Sequence, residues 1–201
     1  EAYLQAAKNV LDIQIETARQ TNPAISVQEL EHITYTKGAV SVIIYHQCLN
    51  DVADEQMKQV LFCIGSLYQL GNDIFDLYKD VSDNIFTLVN TCDDFAELRR
   101  NFLARVRLQN QKTMALPYTK KNKKEFCFVM NIINARSMVA LDKFIRMQKK
   151  AGKKINWWQQ QRKDMIVDME KPGNFLKWLW YAYKKTKKKS CSSYFLYSLL
   201  M

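Results

Sequence analysis

Apolar residues recur along most of this chain at intervals of three and four, the spacing that lines one face of an α-helix. Residues 2–20 form the first such run, which Thr21-Asn22-Pro23 ends. Ser26-Val27-Gln28-Glu29 has the form of a capping box and opens a second helix to about residue 49, where Asn50-Asp51 breaks the pattern. A third helix is expected over residues 53–81, closed by Ser82-Asp83-Asn84. A fourth starts behind Thr91-Cys92-Asp93-Asp94 and runs to about residue 108 or a little beyond, with Pro117 and the lysines after it as a loop. A fifth covers residues 123–150, with Phe126, Met130, Ile133, Met138, Leu141 and Ile145 at helical spacing and Gly152 at its end. Asn156 is placed to cap a sixth over residues 157–168. Lys171-Pro172-Gly173 then interrupts, and a last helix runs from Asn174 to about residue 185. Strand-like alternation is rare and Gly (5) and Pro (3) are scarce, so the expected class is all-α. A chain of 201 residues with 48% hydrophobic content can bury one sizeable core. One helical domain over residues 1–201 is expected, with a core of 1–185 and a basic, then apolar tail of 186–201.

The third helix is unusual because apolar residues cover most of its circumference, yet Asn72, Asp76 and Asp80 stand at i, i+4 and i+8 within it. Four residues advance a helix by about 400° and roughly 6 Å, so these three side chains make one nearly straight polar stripe. Gln69, Asp73 and Asp83 extend it. A stripe of oxygen donors on a buried helix either faces solvent through a gap or lines a cavity, and in a cavity it needs partners or a hard cation.

Charge and cysteine content narrow the class. The formal charge of +10 comes largely from lysine clusters around residues 120–124, 149–154 and 184–189, which read first as solvated loops and helix ends and second as sites for anions. No nucleic-acid reading module or Arg-rich groove pattern is present, so nucleic acid is not an expected partner. Cys48, Cys63, Cys92, Cys127 and Cys191 are widely and irregularly spaced, without a Cys-x-x-Cys pair, and there are two histidines. That fits neither zinc nor a disulfide framework and suggests a reducing, cytoplasmic compartment. No apolar run approaches the ~18 residues of a membrane span, although the tail from residue 186 onward has the composition of a peripheral membrane contact.

The run Gln69-x-x-Asn72-Asp73-x-x-Asp76-x-x-x-Asp80 resembles the second metal motif of the class I isoprenoid diphosphate enzymes, the superfamily of trans-prenyltransferases, squalene and phytoene synthases and terpene cyclases. The prenyltransferase form, Gln-x-x-Asp-Asp-x-x-Asp-x-x-x-Asp, is matched except at Asn72. The three ligand positions of the cyclase form, Asn-Asp-x-x-Ser-x-x-x-Glu, fall on Asn72, Asp76 and Asp80. Upstream, Tyr35-Thr36-Lys37-Gly38-Ala39 is similar to the Lys-Thr-Ala or Lys-Thr-Gly segment of prenyltransferases, whose lysine meets the diphosphate.

The resemblance implies a class I isoprenoid synthase bundle and an enzyme, either prenyltransferase or terpene synthase-like, whose small-molecule partner is a prenyl diphosphate. It implies Mg²⁺ as cofactor, held by Asn72, Asp73, Asp76 and Asp80, with Lys37 and Gln69 as catalytic residues. It also implies diphosphate contacts from Lys37 and from Arg162, a homodimer, and shielding of a carbocation by aromatic faces among Tyr35, Tyr45, Tyr68 and Phe75. Gln14 corresponds loosely to a polar residue lining the same cavity.

The likeness covers about residues 1–115, and the superfamily's first aspartate-rich motif has no counterpart before Lys37, where Asp12 and Glu16 form only an i, i+4 pair. Helices bearing that motif are therefore expected upstream of residue 1. The competing expectation is a helical binding or scaffold protein that keeps the fold without turnover. A basic module for nucleic acid or acidic membrane surfaces rests on the lysine clusters alone.

Overall fold

The computed structural model describes residues 2–49 and 53–187. Among these the chain is all-α: α1 (Ala2–Thr17), α2 (Val27–Gln47), α3 (Glu55–Phe75), α4 (Leu77–Ser82), α5 (Phe95–Ala115), α6 (Lys120–Ala151), α7 (Arg162–Met165) and α8 (Pro172–Lys187). The expected break at Asn50-Asp51, Cys191 and the tail from residue 188 onward lie outside the described residues. No described helix is long and apolar enough to cross a membrane.

Caps set several helix starts. Ser26 Oγ accepts the Glu29 N–H while the Glu29 carboxylate accepts the Ser26 N–H, completing the capping box on α2. Asp54 accepts the Met57 N–H at the head of α3, and Asp94 accepts the Ala96 N–H at the head of α5. At the other end of α6, Gly152 adopts φ 65°, a left-handed turn that ends the helix.

α3 lies at the centre, packed on α2, α5 and α6, while α1 lies on α2 and α8 on α6. The α2–α3 crossing depends on two glycines. A Cβ added to Gly38 would stand 2.0 Å from the Gly65 carbonyl oxygen, and one at Gly65 would stand 2.1 Å from that of Gly38. Only a backbone without side chains permits that approach. Below the crossing, Leu67, Leu70, Ile74 and Leu77 join Phe102, Val106, Met138 and Leu141 in the main core. Phe95, Phe144 and Trp157 complete it, with ring centroids 5.2 to 5.8 Å apart.

Four expected elements differ. The helix expected over residues 53–81 divides at Asp76, whose φ and ψ of −87° and 6° leave the helical region. The i to i+4 bonds nonetheless continue on both sides of it, from Asp76 N to Asn72 O and from Asp80 N to Asp76 O. Lys120–Lys124 is not a loop but the first turns of α6, because Thr119 caps that end and Lys123 Nζ donates to the Met114 and Leu116 carbonyls closing α5. Residues 157–168 hold only a 3₁₀ turn and the single turn α7, and the Asn156 side chain makes no capping bond. Here Ile155 and Trp157, then Met165 and Val167, point inward two residues apart. Two buried residues at a spacing of two do not lie on one face of a continuous helix, and the segment between them breaks into short turns instead. Pro172, expected to interrupt, occupies the first position of α8, where its missing N–H costs no hydrogen bond.

Candidate functional site

The stripe lies where α3 passes into α4, facing α2. Asp73 is 6% exposed and fully engaged: Gln69 Nε2 donates to one carboxylate oxygen at 2.8 Å and Thr34 Oγ1 to the other at 3.3 Å. Burial is the largest influence on Asp73 and lifts its pKa to about 6, against the hydrogen bonds of Gln69 and Thr34 and the positive charge of Lys37. Asp80 is half-buried. Burial and then the charges of Asp73 and Asp76 raise it to about 7, with Lys79 and Lys37 pulling the other way. Asn72 and Asp76 are exposed.

Lys37, one turn along α2 from Thr34, is thus close enough to influence both Asp73 and Asp80, while among the described residues its ammonium closes no ion pair. The result is a crowded acidic group on which two lysines act, Lys37 on both Asp73 and Asp80 and Lys79 on Asp80. Crowding of this kind is relieved by protonation or by a bound cation.

The structure brings together Lys37, Gln69, Asp73, Asp76 and Asp80. Arg162 is elsewhere: its guanidinium lies 5.3 Å from the centroid of the Tyr78 ring. Tyr78 is two residues from both Asp76 and Asp80, about 200° around the helix. Nor do the four candidate aromatics converge. Tyr45 is 73% exposed, Tyr68 is exposed, Arg105 covers the Tyr35 ring at 3.5 Å, and Arg136 lies 5.2 Å over Phe75. Gln14 is exposed on α1.

Among the described residues, no three His, Cys, Asp or Glu side chains are grouped so as to hold a metal ion by themselves. No family model, curated protein or solved structure matches the chain. What can be said of the site therefore rests on its own chemistry. The stripe, with Asn72 and Asp76 exposed and Asp80 half-buried, presents oxygen donors throughout and suits a hard cation that takes the rest of its shell from water or from an anionic ligand. Asp73 is set behind the stripe, 6% exposed with each of its oxygens accepting one hydrogen bond, so it is the least accessible of these carboxylates.

Thr34 is the contact that the sequence reading missed. Its signal was present, since it stands three residues before Lys37 and so shares that residue's face of α2. A cavity of about 420 Å³ lies between α2, α3 and α5, lined by Ile43, Phe62, Cys63, Ser66, Arg105 and Leu108. It adjoins the other half of α3 and contains none of the stripe residues. Among the cysteines, Cys48 is exposed, Cys63 and Cys92 are half-buried, and Cys127 is buried. Desolvation raises the thiol pKa of the last three.

Proposed function

We propose that this chain carries the second-motif half of a class I isoprenoid diphosphate site and acts on a prenyl diphosphate by Mg²⁺-assisted ionisation, followed by condensation or cyclisation. The observation that carries this reading is Lys37, which among the described residues closes no ion pair and whose charge acts on both Asp73 and Asp80. An acidic stripe alone attracts a cation, and a cation with a neighbouring lysine attracts a polyanion.

In this reading Asn72, Asp76 and Asp80 would hold Mg²⁺, which when bound supplies Lewis acidity toward the phosphate oxygens. Lys37 contributes a fixed positive charge where the departing diphosphate gathers negative charge. Gln69 and Thr34 hold the Asp73 carboxylate on the inner side of the stripe, where its charge adds to the field without occupying a coordination position. Asp76, at the junction of α3 and α4, presents its carboxylate outward.

The test is incubation with geranyl, farnesyl and geranylgeranyl diphosphates, with and without Mg²⁺, measuring diphosphate release and extracted hydrocarbons. The proposal expects Mg²⁺-dependent release. It expects Lys37→Ala to reduce kcat/KM by about 100-fold, the loss typical of a donor aimed at developing charge. Absence of turnover with all three substrates would overturn it. The second reading, a binding or scaffold protein with this fold, is favoured by one specific observation: two stripe carboxylates and an amide are fewer acidic ligands than a self-sufficient metal site has. It expects diphosphate binding without release.

A further inference from the structure

Helix α8 is amphipathic in a way that its packing does not use up. One side docks on the bundle: Ala182 is buried, Trp178 Nε1 donates to the Ile132 carbonyl at 2.8 Å, and the Tyr181 hydroxyl joins Arg99 and Asp142. Another side carries Leu176 and Trp180 at i and i+4, 64% and 51% exposed, with Phe175 at its edge, 43% exposed. Apolar side chains of this size, adjacent on one helix face, mark an interaction surface rather than scattered surface residues.

The charge of this stretch of sequence selects its partner. From Lys171 to the end of the chain the sequence contains no Asp or Glu, while Lys171, Lys177, Lys184 and Lys185 are followed by Lys187-Lys188-Lys189. Lys184 Nζ lies 4.4 Å from the centroid of the Trp180 ring, which puts a cation against the exposed apolar stripe. A second copy meeting this face through a two-fold axis would set lysine against lysine. An anionic bilayer satisfies both halves of the pattern. The acyl boundary takes Leu176 and Trp180, the headgroup level suits the indole ring, and lipid phosphates take the lysines.

We infer that the exposed face of α8 is a docking surface for anionic phospholipid membranes, with the helix lying in the interface and Leu176 and Trp180 inserted. This surface is independent of the acidic stripe, so it stands or falls separately from the proposed activity.

The test is co-sedimentation of the full 201-residue chain with vesicles of phosphatidylcholine alone, and with roughly a third of the lipid replaced by phosphatidylglycerol. Binding is expected to the anionic vesicles, to weaken as salt rises, and to be slight on phosphatidylcholine. The double substitution Leu176→Glu and Trp180→Glu is expected to lower binding by about tenfold or more, while Leu176→Met with Trp180→Phe retains it. Because both residues are exposed, circular dichroism of the Glu variant should match the parent. As a check that does not depend on the Glu variant's fold, lipids brominated in the acyl chain should quench the parent's tryptophan fluorescence, and much less so in Trp180→Phe. The inference is overturned by lack of sedimentation with anionic vesicles. It is equally overturned if the Glu variant binds within twofold of the parent, as attachment by the lysines alone or a face covered by another segment would produce, or if Trp180→Phe leaves the quenching unchanged.

Discussion

Asp80 is the residue at which site and fold pull against each other. Burial, with the charges of Asp73 and Asp76, raises its pKa from the ordinary 3.8 to about 7, so the folded chain keeps this proton at pH values where the unfolded chain has lost it. Stability contributed by this group therefore declines as pH rises from about 4 to about 7, and Asp73, raised to about 6, acts in the same direction. Asp80→Asn should stabilise the fold at pH 8 by on the order of 1 kcal/mol once solvent screening of a half-exposed group is allowed for, seen as a higher melting temperature, and should give no gain near pH 4. If the stripe holds a cation, the same substitution weakens Mg²⁺-dependent diphosphate binding, so stability and binding move in opposite directions, whereas a merely structural aspartate shows the stability change alone. Thermal melts at the two pH values, with calorimetric titration at the higher one, separate the cases. At this scale the sequence was legible for spacing but not for depth. The i, i+4, i+8 pattern placed Asn72, Asp76 and Asp80 on one face, but Asp73 is the carboxylate that became buried, because Thr34 on another helix was available to bond it.

Between elements, the approach of α2 and α3 is set by Gly38 and Gly65. Either glycine replaced by alanine must separate the two helices, which moves Lys37 and Thr34 away from Asp73 and Asp80. Gly65→Ala should cost about 3 kcal/mol or more, at the upper end of core overpacking, and chemical denaturation measures it directly. The helices themselves were readable where caps and periodicity agreed, as at Ser26 and Glu29 for α2 and at Gly152 after α6. Reading failed where tertiary contacts decided. Residues 157–168 have an adequate cap candidate in Asn156, yet with Trp157 drawn into the ring cluster with Phe95 and Phe144 the segment forms two short turns, Trp157–Gln159 and Arg162–Met165, and no continuous helix. Lys120–Lys124 looked solvated, and the two carbonyls that Lys123 meets come from the end of α5, which no local pattern reveals. Arg162 fell outside the site for a related reason, since the turn that carries it packs beside α4 and rests it on Tyr78.

At the scale of the molecule, α2, α3 and α4 organise the acidic group and Lys37, and α8, the last described helix, presents a separate basic and apolar face. The all-α class followed from periodicity alone, whereas the proposal of a diphosphate site depends on residues from α2, α3 and α4 meeting at one place. The most direct measurement is titration of Mg²⁺ into the protein in the presence and absence of inorganic diphosphate, for the parent and for Asp76→Ala. Asp76 is exposed at a helix junction, so its removal should leave helix content and melting temperature nearly unchanged. The account predicts that the parent binds Mg²⁺ and diphosphate together, each strengthening the other, and that Asp76→Ala loses this coupling by about tenfold or more. Coupling that survives Asp76→Ala undiminished would contradict it and remove the stripe as the metal site.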